Sequence, residues 1–159
     1  LSQIEAGSLS FSLRPVELGD CCRNAMETIR HRVAEGVSLN FTPEVPSFIL
    51  NTDPLRLQQL LVNLLVNAAK FTEAGEINLS FHIGQEQKNV DLIVTDTGCG
   101  IPADKVTQIF KRFEKVDEYK QGTGLGLSIS QAIAGALGGT IRVDAGYTQG
   151  ARFIFTHPC

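Results

Sequence analysis

The run LQQLLVNLLVNAAKFT (Leu57 to Thr72) limits what this chain can fold into more than any other stretch. Leu57, Leu60, Leu61, Leu64, Leu65 and Ala68 recur at helical spacing. A helix so apolar along one side has to be covered by a second layer. Asp53 followed by Pro54 supplies an N-cap and a favoured first-turn proline, so the helix is predicted from Pro54 to about Phe71. At 100° per residue, Gln59, Asn63, Asn67 and Lys70 fall within about 80° of one another, a polar ribbon on an otherwise buried helix. A buried amide without a partner costs about 1–3 kcal/mol. A solvated stripe is the plain explanation, but such stripes favour Glu, Lys and Gln, which are better helix formers. Two asparagines one turn apart instead offer amide oxygens to a hard cation or its waters, and Lys70 offers positive charge to a phosphate. Magnesium at nucleotide sites is commonly held this way, by few protein ligands, with phosphates completing its shell.

The remaining elements follow from period and punctuation. LGDCCRNAMETIRHRVAEG reads as a helix closed at Gly36, and VSLNFT and FILNTD as short strands. GEINLSFHIG and VDLIVTD read as a strand pair, and TIRVDAG and ARFIFTH as the closing strands. TGLGLSISQAIAGALGG reads as a helix opened by glycines and closed by Gly138 and Gly139, and a short helix is expected near Asp104 to Ile109. Three longer helices and five or six strands, without strict β-α-β alternation, predict an α+β two-layer sandwich with helices over one face of a mixed sheet.

At 159 residues the chain suits one domain. LSQIEAGSL reads as the end of a longer helix, so the chain is expected to be a fragment. Its net charge of −3 argues against a nucleic-acid binder. No apolar run nears the roughly 20 residues of a membrane helix, and there is no signal-peptide pattern. Cys21, Cys22, Cys99 and Cys159 form no C-x-x-C pair, which favours a reducing, cytoplasmic setting. His31, His82 and His157 lack metal-ligand spacing, so zinc is not expected.

Three further segments carry chemistry. DTGCGI (Asp96 to Ile101) ends an alternating strand with a carboxylate beside glycines, an acceptor for a ligand amino group where backbone can come close. An ordinary Asp-Gly turn would look the same. GTGLGLSIS (Gly122 to Ser130) puts alternate glycines at a helix entry, where free N–H groups and the helix dipole favour an anion. It is neither a Walker loop nor a dinucleotide fingerprint. Between them IFKRFEKVDEYKQ carries Phe110 and Phe113, then a charged tail with little to bury, as a lid over a ligand would. Two core phenylalanines before an ordinary loop is the alternative. The order of these signals between residues 63 and 127 is more specific than any one of them.

Together they resemble the catalytic ATP-binding domain of sensor histidine kinases, in the superfamily that includes DNA gyrase, the heat-shock chaperone ATPases and MutL. The segments are similar to the family's N box (Asn63 to Lys70), G1 box (Asp96 to Gly100), F box (Phe110 to Phe113) and G2 box (Gly122 to Leu127). The resemblance covers nearly the whole chain and implies a Bergerat-type fold at 14–159, preceded at 1–13 by the end of a dimerisation helix and a link. It implies that Asn67 coordinates Mg²⁺ with Asn63 beside it, that Lys70 reaches the phosphates, and that Phe71 flanks the adenine. Asp96 would accept from the adenine amino group, with Gly98, Gly100 and Ile101 shaping that pocket. Lys115 matches a basic lid position near the γ-phosphate. Gly122, Thr123, Gly124, Leu125 and Gly126 would wrap the phosphates, and Leu127 would line the base pocket. One departure is Ala151, where many relatives carry a Ser or Thr that helps hydrate the adenine. Another feature is Cys99, at the variable position of the G1 box, a thiol beside the nucleotide if exposed.

Hydrolysing relatives carry a glutamate one turn before the metal asparagine. Here Asn63 stands there, and an amide cannot take a proton from water at neutral pH. Phosphoryl transfer is therefore expected, with Asn63 and Lys115 as the catalytic candidates. None of the three histidines lies in an H-[DE]-x-x-x-P context, so the acceptor is expected in a separate dimerising hairpin, and a response regulator receiver domain would accept the phosphoryl group next. The fragment is expected to be a monomer, its parent a homodimer that can be anchored in the inner membrane. An ATP-hydrolysing relative and a nucleotide-sensing module without catalysis are the alternatives.

Overall fold

The computed structural model describes residues 11–98, 124–144 and 146–159. The elements run β1 (Arg14–Glu17), α1 (Leu18–Ile29), β2 (Val37–Pro43), β3 (Ile49–Thr52), α2 (Pro54–Phe71), β4 (Gly75–Ile83), β5 (Asn89–Asp96), α3 (Gly124–Ala136), β6 (Thr140–Val143) and β7 (Ala151–Pro158). Five strands form a mixed sheet in the order β2-β4-β5-β7-β6, in which only β2 and β4 are parallel. A separate antiparallel pair, β1 and β3, leads into α1 and α2. Among the described residues three α-helices accompany the mixed sheet, matching the three longer helices expected from periodicity.

Local chemistry sets the helix ends. Asp53 caps α2 by accepting the N–H groups of Leu55 (3.0 Å) and Arg56 (3.1 Å), with a proline in the first turn. Its other oxygen accepts the N–H of Ser12 at 2.8 Å, tying the entering chain to the helix cap. Glu17 does the same for α1 through Gly19 and Asp20. At the end of α3, Gly139 N–H bonds the Ala134 carbonyl and Gly138 N–H bonds that of Gly135, with Gly138 at φ 85°. This is the glycine-dependent helix stop expected from Gly138 and Gly139. The other glycine stop fails: α1 ends at Ile29 and gives way to a tight turn over Arg30–Arg32, so Gly36 (φ 89°) turns the loop into β2 instead. Nor does the sequence announce β1, whose Pro15 and charged neighbours hide a strand formed by pairing with β3.

The sheet presents alternating residues to the helices. Antiparallel register lines up Leu79, Val94 and Phe153 in one row, and Phe81, Leu92 and Phe155 in the next, all buried. Against them lie Leu57, Leu60, Leu61, Leu64 and Leu65 of α2, all fully buried, each stabilising the fold by about 1.5–3 kcal/mol. Ile29 and Met26 of α1, Ile133 of α3 and Leu137 just after it extend the same core. The last row holds Ile77, Asp96 and Ala151. A carboxylate therefore occupies a position where the sheet's period calls for an apolar residue.

Candidate functional site

Asp96 ends β5 with 3 % of its surface exposed. Its Oδ1 accepts two backbone N–H groups, from Gly98 at 2.8 Å and from Ala151 at 3.2 Å. No described residue donates to Oδ2. Burial pushes the carboxyl above the usual carboxylate range, and the two N–H bonds oppose that rise. The side chain is thus fixed through one oxygen while the other remains an acceptor. Charged groups held this way are costly to a fold and characteristic of binding sites.

The turn after Asp96 abuts the end of α2. A Cβ on Gly98 would overlap the carbonyl oxygen of Phe71, stand 2.7 Å from its carbon and lie 3.0 Å from Thr72 Oγ1. Only glycine permits that approach. Thr97 fastens the turn from the other side, its hydroxyl accepting the Glu76 N–H at 3.0 Å and donating to the Ala74 carbonyl. The C-terminal end of α2 and the carboxylate turn are therefore one unit. Two segments that the sequence separates by two strands, β4 and β5, meet here.

On α2, Asn67 is buried, with 8 % exposure, and its amide makes no hydrogen bond to a described residue. Asn63, one turn earlier, and Lys70 are half-buried, and both are engaged in interactions. Burial and, secondarily, Arg32 pull the Lys70 ammonium below the ordinary lysine value. Phe71 is buried at the helix end. Gln59, on the same edge, accepts from Arg56 at 3.2 Å. Both α3 and β5 pack against this helix. Gly124, Leu125 and Gly126 form the first turn of α3, and Leu127 is buried just behind it.

The structure thus brings Phe71, Asp96 and Gly98 together, with Asn67 on the helix that ends at Phe71. Cys99, Gly100, Ile101, Phe110, Phe113, Lys115, Gly122 and Thr123 lie outside the described residues, as does the expected short helix at Asp104 to Ile109. Three contributors are not evident in the sequence. The first is the Ala151 N–H, which holds Asp96 whatever the side chain at that position. The second is Tyr147, whose hydroxyl donates to the Asp96 main-chain carbonyl at 3.2 Å. The third is Thr72, whose buried hydroxyl makes no hydrogen bond to a described residue. Only the last had a signal, a threonine immediately after an otherwise buried helix.

Cys21 and Cys22 are buried free thiols, and burial raises both, Cys21 to about 11. They serve packing rather than reactivity. Among the described residues there is no cluster of His, Cys, Asp and Glu able to hold a metal. The fitting donor among the described residues is amide oxygen: Asn67, whose amide bonds no described residue, with Asn63 a turn away, suits a hard cation that keeps most of its shell from other ligands and water.

Comparison with known proteins agrees with this arrangement. The family profile of histidine kinase-, DNA gyrase B- and HSP90-like ATPases matches residues 52–159. The circadian input-output histidine kinase CikA of Synechococcus elongatus is 34% identical over 99% of this chain and 22% of its own length. The chain spans less than a quarter of the length of the first curated relatives it matches. Among solved structures, full-length ShkA in complex with AMPPNP superposes with a TM-score of 0.86 at 34% identity, over 99% of this chain and 33% of that one. The catalytic domain of histidine kinase ThkA gives 0.78 at 28% identity, over 93% of this chain and 98% of that one.

Proposed function

This chain belongs to the family of histidine kinase-, DNA gyrase B- and HSP90-like ATPases, and from that premise we propose that it is the ATP-binding catalytic domain of a sensor histidine kinase. The observation that carries the reading is Asp96, a buried carboxylate in an apolar row with Oδ1 held by two N–H groups and Oδ2 left to accept. The 6-amino group of adenine is a donor of the matching kind. Gly98 lets the base edge and the helix end approach closely, and Phe71 and Leu127 supply apolar surface for the ring. Gly100 and Ile101, Phe110 and Phe113, and the run Gly122 to Gly126 complete the proposed nucleotide site by the same family pattern.

Asn67, with Asn63 beside it, would hold magnesium, which when bound offsets charge on the phosphates. Lys70 and Lys115 provide the protein's own positive charge toward the phosphates. With an amide at position 63 rather than a carboxylate, α2 carries no acidic side chain to take a proton from water, which favours transfer to a protein acceptor over hydrolysis. We place that acceptor, a histidine, in a helical hairpin domain preceding residues 14–159, with a receiver domain as the next recipient and a homodimer as the working state. No described helix is long and apolar enough to cross a membrane. A cytoplasmic setting fits the free thiols.

Calorimetric titration of this chain with ATP and Mg²⁺ tests the reading, and the absence of any binding heat would refute it. Incubation with γ-labelled ATP separates transfer from the alternatives: the chain should stay unlabelled and turn over little ATP. Strong labelling at His31, His82 or His157 would put the acceptor inside this chain and refute its assignment elsewhere.

A further inference from the structure

The connection between β6 and β7 does more than turn the chain. Tyr147 Oη donates to the main-chain carbonyl of Asp96 at 3.2 Å, across 51 residues of sequence. The ring does not stand alone. The Arg152 guanidinium lies over it, 4.3 Å from the ring centroid. Arg152 is fixed in turn by Thr95 Oγ1, which accepts its Nε–H at 3.3 Å, and by Asp144 at 3.4 Å. Asp144 also shapes the turn, accepting the Gly146 N–H at 3.0 Å through its side chain and the Tyr147 N–H at 3.1 Å through its carbonyl. Gly150 leaves the Asp96 carbonyl accessible, since a Cβ there would overlap the same oxygen and lie 2.7 Å from its carbon. The far end of this connection is Ala151, whose N–H holds Asp96 Oδ1.

Asp96 is therefore gripped twice by one loop, at its backbone through Tyr147 and at its side chain through Ala151. Such double anchoring matters only if the carboxylate has to stand at a set place, because recognition of a single amino group tolerates errors of about 0.5 Å. We propose that Tyr147, braced by Arg152, is a positioning residue for base recognition, its hydroxyl fixing the Asp96 backbone and so setting where Oδ2 meets the base. The inference rests on the reading of Asp96 as the acceptor for the adenine amino group.

Tyr147→Phe removes the hydroxyl and leaves the ring stacked on Arg152, at a half-buried site where no cavity opens. The test measures affinity for ATP and for purine riboside 5′-triphosphate, which lacks the 6-amino group, by calorimetry on this chain and its variant. Wild type should prefer ATP. Tyr147→Phe should lower the ATP affinity about three- to tenfold, the range of one neutral hydrogen bond, and leave the purine analogue unchanged. Arg152→Met, which removes the brace, should shift the ratio in the same direction with a similar melting temperature. An equal loss for both nucleotides would make Tyr147 a structural residue and overturn the proposal. So would an unchanged ratio in Tyr147→Phe, whatever Arg152→Met does. A wild type that binds both nucleotides equally, or neither, would instead overturn the reading of Asp96 and this inference with it.

Discussion

Replacing Asp96 by Asn should separate what this carboxylate does for the fold from what it does for the ligand. The substitution is isosteric. The amide oxygen can keep both N–H bonds, from Gly98 at 2.8 Å and Ala151 at 3.2 Å. The opposite orientation would aim an NH₂ group at two donors, so the amide nitrogen has to occupy the place of Oδ2. The acceptor offered to the ligand thereby becomes a donor. Losing a hydrogen bond to a charged acceptor costs about 1.5–3 kcal/mol, and two donors left facing each other cost about 1–3 kcal/mol more. ATP affinity should therefore fall roughly 10²- to 10⁴-fold. Inosine triphosphate, which carries a carbonyl at position 6, should bind the variant better than it binds wild type. Stability should move the other way. Burial, the largest influence on Asp96, raises its folded pKa above the unfolded value, so the ionised form weakens the native state at neutral pH. Asn removes that penalty, and its advantage should shrink as pH falls through the raised folded pKa toward about 4, where the unfolded carboxyl also protonates. The assay is calorimetry with both nucleotides at pH 7, together with urea melts from pH 7 to pH 4. An ATP loss under threefold, or equal losses for both nucleotides, would refute the assignment of Oδ2 to the base.

Other substitutions test the surrounding contacts. Gly98→Ala should destabilise by about 1–3 kcal/mol, since its methyl meets the Phe71 carbonyl. Gly135→Ala, with open space around it on α3, should stabilise by up to about 1 kcal/mol; equal urea midpoints for the two variants would contradict the packing described. Thr72→Val should raise stability by about 1–3 kcal/mol because it removes a buried hydroxyl with no partner among the described residues, and a lower melting temperature would mean that the hydroxyl is satisfied. His157 is buried with its Nδ1–H donating to the Pro158 carbonyl and its Nε2 accepting from Thr52, and burial lowers its pKa. The unfolded chain therefore takes up a proton first, below about pH 6.5, so stability should fall from pH 7.5 to pH 5.5. Replacing His157 by Gln should flatten that slope, which denaturant melts across the range would detect.

Much of this protein is written in local pattern. Helical spacing from Leu57 to Ala68, the Asp53–Pro54 start and the Gly138–Gly139 stop define α2 and the end of α3 without reference to the rest of the chain. The alternation Val90, Leu92, Val94, Asp96 already puts the carboxylate on the core-facing side of its strand, because side chains in a strand alternate with period two. Sequence alone determined these elements and the face of its strand on which Asp96 lies. Tertiary structure decided how they are held. β1 exists only through its pairing with β3, and α1 stops seven residues short of the glycine that signals its end. Asp96 is anchored by Ala151 and Tyr147, 55 and 51 residues away. Gly98 is required because the helix end at Phe71, 27 residues earlier, packs against it. These are contacts between segments whose separation in sequence carries no period or punctuation to reveal them, and they form only when the sheet closes beneath its helices.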